Sequence, residues 1–342
     1  MQDQHETKKN SLPRLCAGLA AALLLGSAGY AGAQTPMSKA QKMKKLKMKK
    51  LKMQKLKMQK LKAMDPTTGY LKAHKTNENP YNLLGGPISV QISQNGGPVY
   101  AALPSKRQLD PYVFGTPLMP RDFGGPAVAE GVPPLLRGHK NGAYTTTTKK
   151  TPFGDKYTTL SNGQLSLQSV DKTATDAAVT DDTVHMTASW KDAQGHTYKV
   201  TCAKVEPYGS DHPTFGGVVT NTLMHGFTRI GTPLEPTQFV YYAFWGKGDI
   251  SRDGQTLDRG RLIHGMLTED VRTTGYRLAT DSQVNPSLVI FHLIIPPMKN
   301  GRKDPVKTGF TMANGKPLLF WHVMFQTLKI KAERGARMTA SH

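Results

Sequence analysis

Two short stretches repeat one pairing of donor atoms. His264-Gly265-Met266 and His322-Val323-Met324 each set an imidazole and a thioether two residues apart. In an extended strand residues i and i+2 project from the same face, so each stretch offers a nitrogen and a sulfur donor side by side. His292 sits between Ile290 and Ile294 at the same spacing, in a third apolar run. Imidazole with thioether suits Cu(I) and tolerates Cu(II), so the pattern points to a copper site drawn from His264, Met266, His292, His322 and Met324. The same face admits two other roles, a pocket for a small organic ligand or histidines hydrogen-bonded inside a mixed core. Which role holds depends on whether the three strands are neighbours, and spacing along the chain does not give strand order.

Other chemistries lack their residues. The mature chain keeps one cysteine, Cys202, and no His or Met follows it in the spacing of a blue-copper loop. Alternation aligns Cys202 with Tyr198 and Val200, which predicts a buried, inert thiol. No H-x-x-x-H or C-x-x-C spacing supports zinc, and there is no G-x-S-x-G, phosphate loop or dinucleotide fingerprint. Glu235, Asp249, Asp258, Glu269 and Asp270 form no pair whose spacing defines an acid and a base. The leading expectation is therefore non-catalytic ligand binding, with copper as the candidate cofactor and no catalytic residue assigned. The second is a β-sheet hydrolase or lyase acting on an acidic polysaccharide, for which Tyr241, Tyr242, His264 and Glu269 supply residue types without a geometry.

The elements that must carry these residues read as strands. Asn-Gly or Asp-Gly pairs occur at 95–96, 141–142, 162–163, 253–254, 300–301 and 314–315. Such pairs favour the left-handed backbone of tight hairpins, and β-branched or alternating runs lie between them. "KYTTL" and "QLSLQSV" flanking Asn162-Gly163 predict a hairpin, as do "VHMTASW" and "HTYKVTCAKV" around "KDAQG". The expected fold is all-β and mainly antiparallel, a sandwich or closed barrel over residues 83–332. The Gly- and Pro-rich stretch 85–142 reads as an extended arm laid over the sheets.

The N-terminal quarter differs. Lys8, Lys9 and Arg14 precede an apolar stretch ending in Ala-Gly-Ala at 31–33, which predicts an export signal over residues 1–33, cleavage before Gln34 and a periplasmic or secreted protein. Cys16 precedes the apolar stretch, the wrong side for lipidation. Of the net charge of +21, +1 falls in residues 1–33 and +12 in residues 39–62, leaving the remainder mildly basic. Residues 39–62 hold twelve lysines and no acid in a five-residue beat with leucine and methionine. Five residues advance a helix by about 500°, so the apolar residues spiral and form no stripe. Residues 34–82 are expected to be disordered or transiently helical, and residues 333–342 a basic tail. Lys44, Lys45, Lys47, Lys49, Lys50, Lys52, Lys55, Lys57, Lys60 and Lys62 would contact an anionic envelope surface, lipid headgroups or acidic polysaccharide, by counterion release. Nucleic acid is not the expected partner.

Deleting residues 39–62 is expected to move the melting temperature by no more than about a degree, while weakening retention on anionic vesicles at low salt. A large fall in melting temperature would show the repeat to be part of the fold.

Overall fold

Burial along the strands shows two regimes. In Thr183–Lys191 and Thr197–Val205 buried and open residues alternate, as in a sheet with one wet face. In Gln255–Asp270 every residue from 261 onward is buried, and so is all of Trp321–Phe325. That second group is covered on both sides, and it carries the His-x-Met stretches.

The computed structural model describes residues 38, 43, 45, 48, 88–123, 132–172, 181–206, 217–299, 302–306, 310, 312 and 314–334. The export signal, residues 49–87, the C-terminal tail beyond 334 and every candidate polyanion lysine except Lys45 lie outside them. Contacts divide the chain into Met1–Gln59 and Lys60–His342. In the first unit Met43, Lys45 and Met48 are helical, and both methionines are exposed. No helix among the described residues is long and apolar enough to cross a membrane.

The second unit is built from strands. These are β1 (Ile88–Asn95), β2 (Val99–Ser105), β3 (Gly115–Thr116), β4 (Met119–Pro120), β5 (Arg137–Lys140) and β6 (Ala143–Thr147). The long β7 (Thr151–Asp171) follows, then β8 (Thr183–Lys191), β9 (Thr197–Val205), β10 (Val218–Met224), β11 (Gln238–Arg252) and β12 (Gln255–Asp270). The last are β13 (Asn285–Ile295), β14 (Met298–Lys299), β15 (Arg302–Lys303), β16 (Trp321–Phe325) and β17 (Lys329–Arg334). The main sheet runs β17-β1-β7-β2-β16-β13-β12-β11-β9-β8, with β10 beside β11. β1 and β2 lie end to end along one edge of β7, where Asn95 faces Gln164 and Val99 faces Leu160. β8 pairs the residues of β7 that β1 also pairs, so it must take the opposite edge. The ladder thereby returns on itself as an antiparallel ring, in keeping with the all-β expectation.

Inside the ring Ile92, Leu167, Met186, Val200, Phe291 and Trp321 belong to one buried cluster drawn from six strands. Trp321 packs edge-on against Trp190 at 5.1 Å and Tyr198 at 5.4 Å, so the interior is filled by side chains. Cys202 lies in this cluster, and burial raises its thiol pKa to about 12, the inert thiol expected. A second buried cluster covers the outer face of β11, β12 and β13, where Leu109, Phe114 and Tyr144 of the arm meet Trp245, Met266 and Ile294. Arg107 fastens the cover: its guanidinium donates to the carbonyls of Leu234 at 3.0 Å, Leu278 at 3.1 Å and Ala279. Of the stretch 85–142, the described residues from 106 onward lie over the sheet as an arm, whereas Ile88–Asn95 and Val99–Ser105 are strands of the main sheet.

The hairpin expectations divide. β8 and β9 pair as expected, Asn141-Gly142 joins β5 to β6, and Asp253-Gly254 turns β11 into β12. The 300–301 pair lies outside the described residues. Asn162-Gly163 makes no hairpin, because β7 runs straight through it. Asn162 is left-handed at φ 52, and the register against β8 shifts between Ser161 and Gln164. A bulge needs the same left-handed backbone as a tight turn, and the dipeptide serves that purpose here. Gly163 is required by close approach, since a Cβ would overlap Val99. Asn95-Gly96 likewise links two collinear strands.

Gly248 of β11 lies where a Cβ would overlap the carbonyl oxygen of Thr201 on β9. Backbone cannot yield as a flexible side chain can. Gly248→Ala is expected to cost at least about 2 kcal/mol, read as a melting temperature lowered by about 4–8 °C. An unchanged value would mean that β9 and β11 are not this close.

Candidate metal centre

Antiparallel register decides which donors meet. Met266 of β12 faces His292 of β13, and His292 faces Met324 of β16. One pair further along, His264 faces Ile294, which faces His322. Alternation then puts the outward-facing members of all three strands on one face. Met266, His292, His322 and Met324 are wholly buried and His264 nearly so.

Two of the five meet. His292 Nδ1 stands 2.7 Å from His322 Nε2. A third donor arrives from the loop before β11: Glu235 Oε1 lies 3.9 Å from His292 Nδ1 and 3.6 Å from His322 Nε2. Glu235 is as fully buried as the two histidines. Donors bound about 2.1 Å from one ion at tetrahedral angles stand about 3.4 Å apart, close to the mean of these three separations.

Proton placement leaves one lone pair facing inward, on His292 Nδ1, and His322 Nε2–H donates to it at 2.7 Å; a metal would take His322 in its other tautomer, with the proton on the unpartnered Nδ1. Thr268 Oγ1 donates to the Glu269 carbonyl at 2.7 Å, which uses its only proton. At 3.2 Å from His292 Nε2 it can then only accept, so Nε2 carries the imidazole proton and Nδ1 presents its lone pair to the cluster. Burial lowers the His292 pKa to about 4 against the opposing pull of Glu235, and it drives His322 well below its usual value, with His292 and Arg272 adding to the fall. Both rings are therefore neutral at pH 7, the form a metal takes. Glu235 Oε2 accepts from Gln238 Nε2 at 2.7 Å, while Oε1 has no hydrogen-bond partner.

The remaining sequence candidates lie elsewhere. His264 donates Nδ1–H to the Phe244 carbonyl at 2.8 Å and stacks on Trp245 at 4.5 Å. Met266 Sδ is 3.2 Å from His225 Nε2, and Met324 packs with Ala102 and Ile290. Tyr242 belongs to the cluster inside the ring, on the face opposite His264. An open groove of about 590 Å³ crosses β7, β8, β9 and β11 beside Gln168, His185, Thr201 and Lys247, and shares no residue with the cluster.

Glu235 is held by its loop. His225 and Gly226 are both left-handed, at φ 64 and 51, and a Cβ on Gly226 would overlap Thr237. Gly226 N donates back to the Glu235 carbonyl at 3.0 Å, closing the loop on itself. Asp281 Oδ1 accepts from Thr237 N at 2.8 Å, and Asp281 N donates to Asp110 Oδ2 at 2.8 Å, which ties loop, arm and the β12–β13 connection together. Sequence named Glu235 only as an unpaired carboxylate. No spacing links a loop residue to strands that begin 50 or more residues later.

Burial, then the charge of Asp110, raise the Asp281 pKa from 3.8 to about 7. The folded state thus binds the proton more tightly than the unfolded chain, so this group's contribution to stability falls as pH rises from about 4 to about 7. Asp281→Asn keeps the oxygen that Thr237 needs and removes the charge. It is expected to raise the melting temperature at pH 8 by about 2–4 °C and to converge with wild type below pH 4. A variant less stable than wild type at pH 8 would contradict this.

Comparison of the chain with protein-family models, curated proteins and solved structures finds no match, so donor chemistry and geometry carry the functional reading.

Proposed function

We propose that this is an exported, non-catalytic metal-binding protein of the cell envelope that holds one divalent transition-metal ion through Glu235 Oε1, His292 Nδ1 and His322 Nε2. The observation that carries the reading is a fully buried carboxylate oxygen without a hydrogen-bond partner, standing within 3.9 Å of two neutral imidazole nitrogens. An unpaired buried carboxylate oxygen is costly, and a cation at the centre of the three donors relieves it. Two nitrogens and one carboxylate oxygen suit Cu²⁺, Zn²⁺ or Fe²⁺, with Cu²⁺ the tightest by the general affinity order. Copper stays in the proposal as the divalent ion. The thioether part of the sequence reading gains nothing, because Met266 is engaged with His225. The twelve lysines of residues 39–62, with no acid among them, support contact with anionic envelope surface as a tether.

Protein stripped with chelator and then given one equivalent of Cu²⁺ or Zn²⁺ is expected to melt at higher temperature. Calorimetric titration should show His292→Ala, His322→Ala and Glu235→Gln each weakening binding by more than about 100-fold. His264→Ala should bind as wild type does. Wild-type affinity in the His292 and His322 variants would remove the proposed function.

A further inference from the structure

Beside the cluster lies a buried cation with an unused edge. Arg272 follows β12 and is 7% exposed. Its Nη1 makes two long contacts, to the carbonyls of Gly154 and Tyr276, each at 3.4 Å. Nε and Nη2 have no hydrogen-bond partner. These two nitrogens form the side of the guanidinium that grips a planar carboxylate through parallel N–H bonds. The neighbouring acids are committed elsewhere. Asp270 Oδ1 takes the backbone N–H of Arg272 at 2.8 Å, and Asp155 pairs with Arg107 at 3.7 Å and Gln108 N at 3.0 Å. Glu235 is the acid that acts most strongly on Arg272, and the guanidinium charge works against protonation of both His292 and His322. The Gly154 carbonyl contacts Arg272 Nη1, and the ring of the adjoining Phe153 lies 5.7 Å from that of His322, so the unpaired edge and the cluster meet the same stretch of β7.

Charge balance then asks for an anion. Without metal, Glu235 and Arg272 offset each other. A divalent ion adds two positive charges to donors that are wholly buried, and three protein ligands leave it a coordination position to fill. Resting on the metal reading above, we propose that Arg272 and the open side of the Glu235–His292–His322 cluster bind a small carboxylate, one oxygen toward the metal and the other on the guanidinium edge. Tyr276 packs beside the guanidinium. It is left-handed at φ 60, a strained state for a non-glycine residue, and its ring lies 4.1 Å from Tyr100 and 4.7 Å from the partly exposed Tyr157. The Arg272 Cζ stands 5.5 Å from the centre of that ring, and the Tyr276 hydroxyl is buried without a partner, as a further donor to the anion would be before it binds.

Acetate is the probe, titrated against chloride at constant ionic strength, with Co²⁺ as the spectroscopic ion. The visible bands of the Co²⁺ protein should shift saturably with acetate and not with chloride. Arg272→Lys keeps the charge and loses the fork, so it should need at least about 10-fold more acetate at unchanged Co²⁺ affinity. Tyr276→Phe, which preserves the ring packing, should show a smaller weakening. Co²⁺ bands that ignore acetate overturn the anion site and leave the metal site standing. If Co²⁺ does not bind, the metal reading fails and metal-free protein decides the anion: acetate stabilisation over chloride, lost in Arg272→Lys, upholds Arg272 as an anion site, and its absence overturns it.

Discussion

Backbone hydrogen bonds between β12, β13 and β16 fix Met266 opposite His292 and His292 opposite Met324. Everything proposed for this chain depends on that register. A slip of one residue on β13 would turn His292 into the interior with Phe291 and Leu293 and bring an apolar side chain out in its place. The interior resists the slip, because Phe291, Leu293 and Ile295 all fill the core. The apolar packing inside the ring thus sets the position of polar atoms outside it.

Those polar atoms would be ordinary surface groups if the outer face were wet. The arm and two connections keep water away, and they are joined by charge as much as by apolar contact. Arg107 reaches carbonyls on both connections, and Asp110 and Asp281 link arm to loop. Buried groups of this kind contribute little net stability, but leaving one unpaired is expensive, so they favour a single arrangement of the cover. Glu235 inherits its position from that arrangement.

Alternation made much of this legible in advance. The His-x-Met spacing identified the shared face, the β8–β9 hairpin was readable from its loop, and Cys202 was correctly placed with Tyr198 and Val200. Strand order was not readable, because the pairing of β13 between β12 and β16 depends on interior side chains from all three. Glu235 and Arg272 escaped for a different reason: each sits in a connection whose path is set by contacts from Arg107 of the arm, more than 100 residues away. Asn162-Gly163 misled because a left-handed dipeptide reports local backbone shape, and a bulge and a turn share that shape. The five candidate side chains do share a face, yet only two histidines converge, since rotamer and neighbours decide where a ring points once the strand has chosen its side.

The closing pairs of the ring come from opposite ends of the domain. Ala101 of β2 pairs with Val323 of β16 in the ring, and beside it Ile88 of β1 pairs with Arg334 of β17. Such contacts pay loop-closure entropy before they return any stability, which makes ring closure a slow, late event in folding. A nascent chain halted before β16 would hold β2 and β13 with bare backbone edges, the usual template for intermolecular sheet growth. Synthesis must therefore pass β16 before the domain can protect itself.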